Sequence, residues 1–150
     1  MKILKPNCYK VLRYERGLYP LRGFYSLFIC GRAEIKYHFK KWSYPPKWLA
    51  KEGYEILVFD KIKNALMFLM QEDMMVIKGE RIRLFSAYGD NLRYIENIPF
   101  CDIFELLNGK IIPKVDTEFP QGTMMCSRLK LIEEIPITEE LLRKYLGGEL

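Results

Sequence analysis

The sequence predicts a single α+β domain spanning 1–150, built on a mainly antiparallel sheet of about six strands, with one buried helix at 61–71 and a C-terminal helix. Three observations predict it. Apolar and polar residues alternate at period two in several short segments, as side chains on opposite faces of a strand require. Turn residues separate neighbouring segments closely, which signals hairpins rather than parallel crossovers. The 150 residues, 49% of them hydrophobic, suit one domain that buries roughly 70% of its unfolded surface.

CYKVLRYE (8–15) reads as the first strand, rich in aromatic and branched residues. Gly17, Pro20 and Gly23 punctuate the loop after it. FYSLFIC (24–30) is almost wholly apolar, as a strand buried on both faces would be. Gly31-Arg32 predicts a tight turn into a strand over 33–40. There Ile35, Tyr37 and Phe39 fall on the core side, and Lys36, His38 and Lys40 share an open side. The ladder stops at Lys41-Trp42, because Tyr44-Pro45-Pro46 cannot continue it. KWLAKEG suggests a helical turn closed by Gly53.

EILVFD (55–60) reads as a buried strand, with Asp60 placed to cap the helix at 61–71. Ile62, Ala65, Leu66 and Leu69 form that helix's apolar stripe, widened by Met67, Phe68 and Met70. MMVIK (74–78), Gly79 and ERIRLFSAY (80–88) read as strand, turn and strand. In the second of these, Ile82, Leu84 and Tyr88 alternate with Arg81 and Arg83. Prolines and glycines interrupt 89–126, leaving a short strand at 103–107 and a turn at Asn108-Gly109. SRLKLIEEI (127–135) reads as a late strand with Leu129 and Leu131 inward and Arg128 and Lys130 outward. Thr138 then caps a terminal helix, EELLRKYL, acidic at its start and basic near its end.

Charge is unevenly spread. Residues 1–59 hold 12 Lys/Arg against 4 Asp/Glu, and 60–150 hold 12 against 15. A basic half of this kind hints at an anionic partner. No apolar run approaches the ~18 residues needed to span a bilayer, and MKILKPNCYK lacks a secretion signal. The expectation is a cytoplasmic protein with no membrane partner, its four scattered cysteines reduced and mostly buried. Zinc sites want local Cys/His pairs, and one histidine with four distant cysteines offers none, so no metal and no cofactor are expected. Neither a nucleophile–histidine arrangement nor a glycine-rich phosphate loop is present. The acids Asp90, Glu96, Asp102, Glu105, Asp116 and Glu118 match no named site and read as solvated loop charges.

The remaining candidate is a surface. Lys36/His38/Lys40, Arg81/Arg83 and Arg128/Lys130 each lie on the outer side of a predicted strand, with Lys41 and Trp42 beside the first group. On one side of one sheet they would hold phosphates, while aromatics stacked exposed bases. The same charges would also keep a wet sheet soluble and its edges unpaired. The chain therefore reads as a non-enzymatic binding domain with a basic sheet face for nucleic acid. A protein-interaction module, homodimeric or with another protein, and a transferase-like enzyme remain open beside it.

The order of pieces across about 8–85 runs YKVLR, YSLFI, a tyrosine-bearing strand, a W-x-x-P segment, GYEILVFD and a helix beginning NAL-x-F. This layout resembles small uncharacterised proteins of phages, archaeal viruses and related mobile elements. The resemblance implies a mobile-element origin and assigns no activity or site residue. A second resemblance is to ADP-ribosyltransferase-like domains, which implies roles for Arg13, Tyr37 and Glu80 or Glu133. The Ser-Thr-Ser strand motif of those domains is missing.

Overall fold

The structure is a computed structural model that describes residues 4–15, 23–26, 35–51, 53, 55–71, 82–94, 99–100, 115–116 and 121–147. Its elements in chain order are β1 (Cys8–Glu15), β2 (Gly23–Ser26), β3 (Lys36–Tyr37), β4 (Trp42–Ser43), α1 (Lys47–Lys51), β5 (Ile56–Phe59), α2 (Ile62–Gln71) and β6 (Ile82–Asp90). They continue as β7 (Arg93–Tyr94), β8 (Pro99–Phe100), β9 (Val115–Asp116), β10 (Thr123–Cys126), β11 (Arg128–Ile135) and α3 (Glu139–Leu146). The main sheet runs β4-β11-β6-β1-β5-β10-β7, with β2 paired to β1 and β3 to β2. Every pairing is antiparallel, as the hairpin signals predict.

Register assigns the two faces. Across β1 and β6, Val11 lies opposite Leu84 and Arg13 opposite Ile82, and this face carries α2 and α3. Ala65, Leu66 and Leu69 of α2 and Leu146 of α3 pack there on Val11, Phe59, Ile82 and Leu84. The opposite face takes the other parity: Cys8, Leu12, Ile56, Val58, Phe85, Ala87, Met124, Cys126, Leu129 and Leu131 are all buried on it, together with Tyr37. Both sides of the central strands are therefore covered, so Leu84, Phe85, Ser86 and Ala87 of β6 are buried in succession.

Several expectations about ends and caps change. The strand expected over 33–40 survives only as Lys36–Tyr37 among the described residues. A turn follows in which the Lys41 N–H donates to the His38 carbonyl at 3.1 Å, and Lys40 takes a left-handed φ of 62°. Phe39 thus leaves the core and is 42% exposed, its ring tilted 6.1 Å from Phe85. Trp42 does not end a strand but starts a new one: Trp42 and Ser43 pair with Lys130 and Leu129. Asp60 is not the cap of α2, which begins at Ile62. Its carboxylate instead accepts from Asn64 Nδ2 and from the Tyr94 hydroxyl, each at 2.7 Å. Thr138 does cap α3, its hydroxyl accepting from the Leu141 N–H at 3.1 Å. The strands expected at 74–78 and 103–107, the turns at 31–32 and 108–109, and Cys30 and Cys101 lie outside the described residues.

Gly122 and Gly53 both hold a left-handed backbone, and at Gly122 it comes with a close approach. The Gly122 carbonyl accepts from the Asp60 N–H at 2.9 Å, and Gly122 holds φ +81° against the Asp60 and Asn64 side chains. Gly53 shares the conformation, φ +90°, but faces open space. A left-handed backbone costs an L-residue about 1–2 kcal/mol. Gly53→Ala should therefore lower stability by about that amount, whereas Gly122→Ala adds a steric clash and should cost clearly more. Urea unfolding midpoints of the two variants check the ordering.

Candidate nucleic-acid interface

The nine residues singled out in the sequence do not share one face. Arg83 lies opposite Leu12, on the face away from the helices. Arg128 and Lys130 lie opposite Asp90 and Tyr88, whose parity is that of the helix-bearing face. Lys36, opposite Tyr25, also takes the helix-side parity. Arg81 lies outside the described residues. Alternation gives the parity within a strand, but only register says which parities of two strands coincide. Arg83 is also occupied locally: it lies 3.9 Å from Glu134 and its guanidinium stands 5.1 Å from the Tyr14 ring centre. A continuous basic sheet face is thus not what these residues form.

What does assemble is the β4 edge. The Arg128 guanidinium lies 3.7 Å from the centre of the Trp42 ring, with Lys130 Nζ at 5.6 Å and Tyr88 meeting the ring edge-on at 6.1 Å. Arg128 Nε is ion-paired with Asp90 Oδ2. That hydrogen bond and a second one with the Tyr44 side chain raise the Arg128 pKa above its ordinary value. Tyr44 itself is 58% exposed.

Residues 35–51 lead from β3, paired with β2, through β4 on the β11 edge to α1, and carry five lysines, the histidine and no Asp or Glu. His38, Lys40, Lys41, Tyr44, Lys47 and Lys51 are all exposed. Three of the sequence candidates (His38, Lys40 and Lys41) therefore stand together on one strip. Lys47 and Lys51 follow on α1 in the same acid-free segment; the absence of acid between Glu34 and Glu52 was the available signal.

The sequence reading also missed Lys10. In β1 it shares parity with buried Cys8 and Leu12. β1 meets β5 only at Tyr9–Phe59 and turns to β2 from Leu12 onward, so the strands fork. Lys10 fills the fork, its Nζ donating to the Leu57 carbonyl at 2.6 Å and lying 5.6 Å from the Tyr37 ring centre. Burial pushes this amine down to about 8, against an opposing pull from Cys126 and Cys8. Burial likewise pushes the thiols of Cys8 and Cys126 up to about 12, leaving them poor nucleophiles. The transferase-like roles do not converge: Arg13 takes the helix-side parity and Tyr37 the opposite one. Glu133, opposite Ser86, is exposed, and Glu80 lies outside the described residues.

Among the described residues no group of three or more metal-ligating side chains gathers, and no helix is long and apolar enough to cross a membrane. No protein-family model, curated protein or solved structure matches the chain.

The buried amine and thiols set a pH dependence of stability. Between pH 8 and 10.5 the unfolded chain keeps a proton on Lys10 that the folded chain releases, so stability rises with pH. Between pH 9 and 12 unfolded Cys8 and Cys126 ionise while the folded thiols stay protonated, so stability falls. From these groups, stability should climb from pH 8 to 9 and then decline as two thiols outweigh one amine. Lys10→Met should remove the climb, by at most ~1.4 kcal/mol per pH unit, as read from urea midpoints across that range.

Proposed function

We propose that the protein is a non-enzymatic binding domain that holds nucleic acid along the acid-free basic strip at the β4 edge. The observation that carries this reading is the strip itself: exposed His38, Lys40, Lys41, Lys47 and Lys51 on one continuous segment, with no carboxylate in the segment to neutralise them. Phosphates bind such an array through charge and counterion release, without need of a pocket. The conformation of Lys40 adds support. Its φ of 62° is one that glycine or asparagine adopts at less cost, so a lysine there is a strained choice of the kind that gathers at functional positions. Lys130 and Arg128 extend the positive potential along β11, Arg128 with its charge offset by Asp90.

The transferase-like alternative lacks this kind of support, since its named residues point to different faces. A protein partner or a second copy of the chain would need a continuous apolar patch. Exposed Phe39, Tyr44, Met70 and Tyr94 offer separate side chains from different elements.

The test is binding of a labelled oligonucleotide of about 20 nucleotides, followed by fluorescence anisotropy as salt is raised. Affinity should fall steeply, with a log–log slope of about −0.7 per phosphate contacted on a single strand. Lys40→Glu with Lys41→Glu should weaken binding and flatten that slope. Absent or salt-insensitive binding overturns the proposal. Lys40→Gly separates function from stability: the variant should be at least as stable as the parent in urea, because strain is relieved, yet bind more weakly.

A further inference from the structure

We infer that the strip takes single-stranded rather than duplex nucleic acid, with the ring of Tyr44 as the platform on which an unpaired base stacks. The inference rests on the nucleic-acid reading above and adds a base contact to its phosphate contacts. A single exposed aromatic is ordinary on a protein surface; Tyr44 differs in being held. It follows directly on β4, whose Ser43 is buried. Pro45 comes next, which restricts the Tyr44 backbone to extended conformations. Its side chain lies beside Arg128, itself fixed by Asp90 and laid on Trp42 at 3.7 Å. The ring thus follows a buried residue, precedes a proline and stands beside a fixed guanidinium, yet is 58% exposed, so less ordering is needed when a base arrives.

The neighbouring aromatics are less suited. Trp42 already carries the Arg128 guanidinium on its ring, with Lys130 5.6 Å from the ring centre and Tyr88 at its edge. Phe39 leans on Phe85. Lys40, Lys41 and Lys47 lie within four positions of Tyr44 and are exposed, so a base on the ring would bring its own phosphates among ammonium groups. Bases inside a duplex are stacked on one another and cannot reach a side chain on a strand edge, which selects the single strand.

The experiment compares five probes against the full chain: oligo-dT, oligo-rU, the abasic phosphodiester chain, and DNA and RNA duplexes of equal length. Tyr44→Ala should weaken base-bearing single strands about 5- to 150-fold and leave the abasic chain unchanged. Tyr44→Phe, which keeps the ring but loses its contact with Arg128, should fall between the parent and Tyr44→Ala. A loss with both sugars, or with one alone, supports the platform and tells which polymer it takes. Equal loss on abasic and base-bearing strands, no loss on either, or duplexes bound as tightly as single strands, overturns the platform while leaving the basic strip standing. If no probe binds at all, the strip reading fails with it.

Discussion

The centre of the sheet is covered on both sides, and the placement of the charges on its central strands follows from that. β1 and β6 bury one parity under α2 and α3 and the other under Tyr37 and the apolar residues gathered with it. A charged or polar group on these strands must find a partner within the fold. Lys10 finds the Leu57 carbonyl that the fork between β1 and β5 leaves unpaired, and Ser86 donates to the Glu133 carbonyl at 3.4 Å. Arg83 pairs with Glu134 and covers Tyr14. Cations without such arrangements belong at the periphery, where water solvates them. Among the described residues, exposed cations therefore lie on loops, edges and helices and not across the centre of the sheet.

The central strands and both longer helices were legible because each is set by local pattern. Alternation located β1, β6 and β11 to within a residue or two, and the apolar stripe located α2. The basic face was not legible, because it depends on register. Nothing in IRLFS or RLKLI says that position 83 pairs with Leu12 while 130 pairs with Tyr88 across the other parity. The over-long strand at 33–40 has a different cause. Phe39 continues the apolar alternation, yet the Lys40 N–H is drawn to the Leu131 carbonyl at 3.1 Å and the chain turns. A single long-range hydrogen bond outweighs two residues of pattern. Lys10 carried a signal that went unread: a lysine at even spacing between Cys8 and Leu12, on what had to be a core side.

Lysines along an edge strand have a second explanation, since charge discourages a stray strand from pairing there. β4 is short, Trp42–Ser43 alone, and Pro45-Pro46 already closes its end to further pairing. Two residues with a diproline need little more protection. Edge protection is also indifferent to the sign of the charge, and glutamates would serve. The segment from 35 to 51 uses none. It places one of its lysines in a backbone conformation that a small residue would occupy with less strain. Solubility and edge protection account for charge on this strip, but not for a single sign kept over its whole length.

Asp90 shows how the edge balances charge against order. By pairing with Arg128 it removes one cation from the array that a phosphate would meet. The same contact holds the guanidinium on Trp42 and within hydrogen-bonding reach of Tyr44. Lysines on long flexible stems need no such fixing, because an ammonium attracts a phosphate from any direction. An aromatic ring acts only in the plane where it is held. On the proposed nucleic-acid reading, the edge would divide its work: lysines would supply attraction that is insensitive to geometry, and one neutralised arginine would orient the group whose contribution depends on geometry.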